Sequence, residues 1–120
     1  MAKKILVVDD EPDILKLAVM RLESSGYEVL MAQTGEETLE LLEKTTPDLI
    51  LLDLLLPKMQ GDVLCKKLKS DPKLKHIPVI LFTASSIRVP ARVGEIGADD
   101  YIVKPFEPDE LLFKIKKFIG

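Results

Sequence analysis

The sequence predicts an α/β protein, a doubly wound sheet of five parallel strands flanked by five helices. Three observations predict it. Short apolar runs alternate along the chain with longer amphipathic stretches, an order that builds parallel sheets with helices on both faces. The apolar runs are continuous, as strands covered on both faces are. No repeat, low-complexity tract or Ser/Gly/Pro linker interrupts the 120 residues, so residues 1–120 are expected to form one domain.

Each element has its own signal. Ile5 to Val8 is the first apolar run. A helix follows, with Ile14, Leu17, Ala18 and Leu22 at helical spacing, Pro12 in its first turn and Gly26 as its stop. Residues 28–32 form a second strand, and Thr34 with Glu37 has the spacing of a capping box before a helix that turns Leu39 and Leu42 to the sheet. Residues 48–53 are the third strand. The next helix covers 62–70, burying Val63 or Leu64 together with Cys65 and Leu68. Strand four is 79–83 and strand five 101–104, and a closing helix starts near Pro108. Between strands four and five only a short helix is expected, with Pro90 near its first turn and Gly97 ending it.

Composition narrows the function classes. A net charge of −3 argues against direct nucleic-acid binding. The apolar run near the N-terminus is too short for a signal peptide or a membrane span. Cys65 is the single cysteine, which rules out an internal disulfide and fits a reducing cytoplasm. The lysine runs at 66–75 and 114–117 read as solvated helix faces, and Cys65 as core.

In open α/β sheets, ligands bind beyond the carboxyl ends of the strands. Strand one ends in Asp9 and Asp10, strand three in Asp53, strand four in Thr83 and strand five in Lys104. The first strand–helix turn, V-D-D-E-P, lacks the glycines of a dinucleotide fingerprint, and no phosphate-cradling G-x-x-x-x-G-K-S/T loop occurs. Three carboxylates on one rim repel one another. A hard divalent ion such as Mg²⁺ resolves that repulsion with oxygen ligands and retained waters. Asp53 then becomes usable as a nucleophile toward phosphorus, with Lys104 and Thr83 stabilising the phosphoryl oxygens. Taken singly, each residue has an ordinary structural reading, as a helix cap, a strand end or a solvated lysine. Their coincidence at four strand ends argues for chemistry.

With these residues assembled, the chain resembles the receiver domains of two-component response regulators, typified by the chemotaxis regulator. The resemblance rests on V-V-D-D-E, L-L-D-L-L-L-P-K-M-Q-G, the T-A pair at 83 and 84, and G-A-D-D-Y-I-V-K-P-F. It implies a flavodoxin-like topology with strand order 2-1-3-4-5. It also implies that Asp53 accepts a phosphoryl group from a sensor histidine kinase or a histidine phosphotransfer protein. By the same resemblance Mg²⁺ is bound by Asp10, Asp53 and the backbone carbonyl of Leu55, with Asp9 acting mostly through water. Lys104 contacts the phosphoryl group, and its bond to Pro105 is usually cis. Thr83 and Tyr101 are the switch pair that repacks the face of helix four, strand five and helix five. Such a domain phosphorylates and slowly dephosphorylates itself without being a turnover enzyme. The kinase docks near the first helix, where one of Ile14, Leu15 and Leu17 is surplus to the buried stripe.

Three positions depart from the common pattern. Leu55 and Ser85 offer no side chain to position a hydrolytic water, so a persistent acyl phosphate is expected. Pro90 falls where a regular fourth helix would run. A haloacid-dehalogenase-type phosphatase is the rival enzyme reading, but its second aspartate would stand where Leu55 does, and the chain has no cap domain. A degenerate receiver would have lost Asp10, Asp53 or Lys104. The chain as the receiver piece of a longer DNA-binding or catalytic regulator, and homodimerisation, both stay open.

Overall fold

The computed structural model describes residues 2–54, 56, 61–83 and 89–120. Along the chain run β1 (Lys4–Val8), α1 (Pro12–Ser24), β2 (Glu28–Ala32), α2 (Gly35–Lys44), β3 (Leu49–Leu52), α3 (Gly61–Ser70), β4 (Val79–Thr83), α4 (Val89–Ile96), β5 (Asp100–Val103) and α5 (Pro108–Ile119). The strands pair in parallel in the order β2-β1-β3-β4-β5, as the resemblance implied.

Strand alternation divides the core into two halves. Ile5, Val7, Leu49, Leu51, Ile80 and Phe82 face α1 and α5. Leu6, Val8, Ile50, Leu52, Val79 and Leu81 face α2, α3 and α4. Every residue of β3 is fully buried, which explains why that run shows no polar alternation. Because β1 and β3 are both central and both covered, the residues that follow them emerge side by side at one end of the sheet.

Local chemistry sets the helix boundaries. Thr34 accepts a hydrogen bond from the Glu37 amide at 3.0 Å, the expected cap of α2. Pro12 and Pro108 occupy first-turn positions of α1 and α5. Gly26 (φ +95°) and Gly97 (φ +87°) end α1 and α4 in the left-handed region. The short α4 begins at Val89 with Pro90 as its second residue, so the proline starts this helix.

Several expectations are corrected. Leu17 is 55 % exposed, and the buried stripe of α1 is instead Leu15, Ala18, Val19 and Leu22. In α3 the choice falls to Leu64, since Val63 is exposed. Asp48 and Asp53 lie outside β3, and β5 starts at Asp100 and stops before Lys104. Asp53 and Lys104 are thus the first residues past their strands. Among the described residues, no helix is long and apolar enough to cross a membrane.

Candidate functional site

Asp9 and Asp10 follow β1, and Asp53 follows β3, the neighbouring strand. The Asp53 amide donates to the Val8 carbonyl at 2.9 Å, which continues the β1–β3 ladder by one residue. One carboxylate oxygen from each of Asp9, Asp10 and Asp53 lies within 4.8 Å of the others. Asp10 is exposed, whereas Asp9 is fully buried and Asp53 is 2 % exposed. The strand end thus holds Asp53 in a place that solvent barely reaches.

Lys104 comes from the far side of β4, just after β5. Its side chain passes the buried Phe82 ring, with Nζ 5.2 Å from the ring centroid. Nζ then stands 2.5 Å from Asp9 Oδ2 and 3.1 Å from Asp53 Oδ2. Burial alone would lower the Lys104 ammonium, but the Asp9 and Asp53 carboxylates outweigh it and hold the group above its ordinary value. The Lys104–Pro105 peptide is cis, and Phe106 packs on Phe82 with centroids 5.5 Å apart.

Asp9 Oδ2 is buried, and its contact is the ion pair with Lys104. Asp9 Oδ1 is used by the Glu11 amide at 2.9 Å. Three carboxylates with oxygens within 4.8 Å of one another, two of them buried, fit a hard cation with oxygen ligands.

Two contributors escape a reading of strand ends. Glu11 places Oε1 3.5 Å from Lys104 Nζ, a third carboxylate on the same ammonium. Gly61 opens α3 so close to the loop that a Cβ there would meet the Asp53 carbonyl at 2.1 Å. The Gly61 amide also donates to Leu54 O at 2.9 Å. The one signal for Gly61 was its place in the L-L-D-L-L-L-P-K-M-Q-G segment. Of the other expected residues, Thr83 ends β4 in register with Val103 of β5. The Leu55 carbonyl, Ser85 and the Thr83 hydroxyl lie outside what is described. Tyr101 is half-buried on β5 against the α2–α4 side of the core.

The family model described as "Response regulator receiver domain" matches residues 5–116. The chain belongs to this family. The receiver is 44 % identical over 120 residues to the alkaline phosphatase synthesis transcriptional regulatory protein PhoP of Bacillus subtilis, covering 99 % of this chain and 49 % of that protein. It thus spans about half the length of the curated relatives it matches. In structure it is similar to a response regulator described as putative from Chloroflexus aurantiacus, with a TM-score of 0.94, 37 % identity and 98 % coverage of both chains. It also resembles the receiver domain of the sensor histidine kinase PA1611 from Pseudomonas aeruginosa, with a TM-score of 0.92 and 27 % identity, covering 100 % of this chain and 99 % of that one. That protein was solved with a magnesium ion coordinated in its active-site cleft. The receiver fold and the acidic cluster at its strand ends therefore go together here.

Proposed function

We propose that this receiver accepts a phosphoryl group on Asp53 from the phosphohistidine of a sensor histidine kinase or a histidine phosphotransfer protein. The observation that carries the reading is the contact of Lys104 with Asp9 and Asp53 at 2.5 and 3.1 Å in a nearly dry strand-end site. A carboxylate held against an ammonium is oriented before any substrate arrives.

In the transfer, an Asp53 oxygen attacks phosphorus and the phosphorus–nitrogen bond breaks. The bonding pair returns to the imidazole, which leaves neutral with its other nitrogen protonated. The product is an acyl phosphate on Asp53. Lys104, already at the carboxylate, neutralises the phosphoryl oxygens as their charge develops. Thr83, at the end of the intervening strand, supplies a hydroxyl donor to them. Asp9, Asp10, Asp53 and the Leu55 carbonyl would hold Mg²⁺, which when bound supplies charge neutralisation for the phosphoryl group. Movement of Thr83 and Tyr101 then repacks the face of α4, β5 and α5.

An apolar groove supports docking of a partner beside α1. An open apolar groove of about 390 Å³ runs between α1 and the start of α5, lined by Ile14, Leu17, Met20, Pro105 and Phe106. The exposed Leu17 is the surplus apolar residue of α1, and it opens beside the Lys104–Pro105 turn, where a kinase helix would bring its phosphohistidine to the site. We take residues 1–120 as one receiver unit acting in the cytoplasm. Its relatives are named as transcriptional regulators and are about twice its length, which supports reading it as the receiver of a DNA-binding regulator.

The test is intact-mass analysis after incubation with acetyl phosphate and Mg²⁺. One phosphoryl group per chain is expected, absent in Asp53→Asn. Rapid multiple turnover of phosphate esters would instead indicate a phosphatase, and neither adduct nor turnover would indicate a receiver that works without phosphate.

A further inference from the structure

The observations that carry furthest outside the strand-end site concern Lys114. This residue sits on α5, whose buried side chains Leu111 and Ile115 pack on the α1 side of the sheet. The Tyr101 ring packs on the opposite side, against the α2–α4 half of the core. β5 is the last strand of the sheet. Lys114 nevertheless places Nζ 4.5 Å from the Tyr101 ring centroid. Its side chain therefore reaches around the open edge of β5 from one face to the other.

The ammonium is fixed there by three further partners. It donates to the Tyr101 carbonyl oxygen, pairs with Asp100 Oδ1 at 3.2 Å and lies 3.9 Å from Glu110 Oε1. Asp100 is in turn anchored by the Tyr101 amide, which donates to the same Oδ1 at 2.8 Å. Only 19 % of the Lys114 side chain is exposed. A lysine tail is ordinarily a loose, solvated group. This one is held at both of the backbone groups of Tyr101, directly and through Asp100, and at its ring.

We propose that Lys114 is a positioning residue that straps the Tyr101 ring in its half-buried place and sets how readily the ring moves inward. The inference rests on the switch reading given above and adds to it the group that the ring must leave. An inward move breaks the ammonium–ring contact while leaving the Asp100 and carbonyl contacts in place. The contact therefore favours one ring position over the other, as a two-state element requires of anything that biases it. A partly exposed cation–π contact changes the ratio of the two positions by about two- to fivefold.

Only Tyr27 and Tyr101 are tyrosines, so ring resonances of ¹³C-labelled tyrosine report the switch directly, with Tyr27→Phe giving the assignment. The wild-type Tyr101 resonance is followed from the free protein to saturation with beryllofluoride and Mg²⁺. Lys114→Met, which keeps the stem and removes the charge, is expected to move the free-protein resonance part of the way to the saturated position. It should also raise the apparent beryllofluoride affinity about two- to fivefold, because the competent state is populated more before binding. Lys114→Arg should keep wild-type behaviour, and Lys114→Gln replaces the Met variant if that variant does not unfold cooperatively. An unchanged resonance and affinity in the uncharged variant, with a normal wild-type response, would overturn the strap alone. A wild-type ring that ignores bound beryllofluoride would overturn the switch reading and the strap with it.

Discussion

Lys104→Met tests whether the strand-end site is held together by charge. In the wild type, one ammonium faces the carboxylates of Asp9, Asp53 and Glu11 at 2.5, 3.1 and 3.5 Å, and its side chain is 5 % exposed. At an effective dielectric of about 20, the two buried contacts represent roughly 5 to 7 kcal/mol of gross attraction each. Much of that offsets the desolvation of the three groups. Removing one partner of a buried pair leaves the rest uncompensated, at a net cost of about 3–5 kcal/mol. Urea unfolding in chelator, followed by far-ultraviolet circular dichroism because the chain has no tryptophan, reads this out. With a slope of about 2 kcal/mol/M, the midpoint should fall by roughly 2 M. Asp53→Asn removes a charge from the carboxylate cluster, so it should cost far less, and the double variant should lose less than the sum of the two singles. Mg²⁺ should raise the stability of Lys104→Met more than that of the wild type, because the variant site is more negative. A midpoint within 0.3 M of the wild type (on the order of the extrapolation error), or additivity in the double variant, would refute the reasoning.

Three further outcomes follow from single residues. Gly61→Ala forces a Cβ toward the Asp53 carbonyl, which should destabilise by about 1–3 kcal/mol. It should also slow acetyl phosphate labelling by about ten- to a hundredfold through displacement of Asp53, and labelling at the wild-type rate would contradict the close approach. Burial pushes the Cys65 thiol up from 9.0 to about 11, so the folded state keeps its proton where the unfolded state releases it. Stability should fall as pH rises from 9.0 to about 11, by up to about 3 kcal/mol, and Cys65→Ala should remove that portion of the alkaline loss. Leu55→Asn should shorten the life of the acyl phosphate, measured as decay of the mass adduct, and an unchanged rate would remove the role assigned to Leu55.

The element order was readable because burial is periodic. β1, β3 and β4 are covered on both faces, and continuous apolar runs mark such strands whatever their neighbours. The carboxylates were readable for a related reason, since a strand end is a local event and topology then brings adjacent ends together. The α1 stripe Leu15, Ala18, Val19 and Leu22 has the helical period, but the equally apolar Ile14 and Leu17 beside it offered a competing stripe. What escaped otherwise has no period. Glu11 reads as a first-turn acid until the fold brings Lys104 to it from 93 residues away. Lys69 looks like one more solvated lysine, yet its Nζ meets Asp99 Oδ2 and the Ile77 carbonyl at 2.8 and 2.9 Å. The same Asp99 oxygen receives the Val79 amide at 2.8 Å, which ties α3 to the start of β4. Lys114 shows the same limit. Long polar side chains choose partners by three-dimensional proximity, and sequence spacing carries no trace of that choice.

The charge count at the strand ends explains why this arrangement suits a responsive site. Asp9, Asp53 and Glu11 present three carboxylates to the ammonium of Lys104, and Asp10 adds a fourth beside Asp9 and Asp53. One cation cannot balance them, and a buried ion pair is in any case weak support for stability. The surrounding β1 and β3 residues, all but Lys4 fully buried, hold the acids together against that repulsion. Among the described residues the fold thus maintains a cluster that is short of positive charge and cannot relax by moving apart. On the proposed function, a divalent cation would correct the shortage, and a phosphoryl group on Asp53 would then add negative charge at the point where Lys104 already stands. Each binding event therefore changes the electrostatic balance on Lys104, whose backbone continues directly from the strand that carries Tyr101. On that reading the continuity would link the chemistry proposed at Asp53 to the edge where Lys114 meets the Tyr101 ring, so Lys104→Met and Lys114→Met probe the two ends of one strand separately.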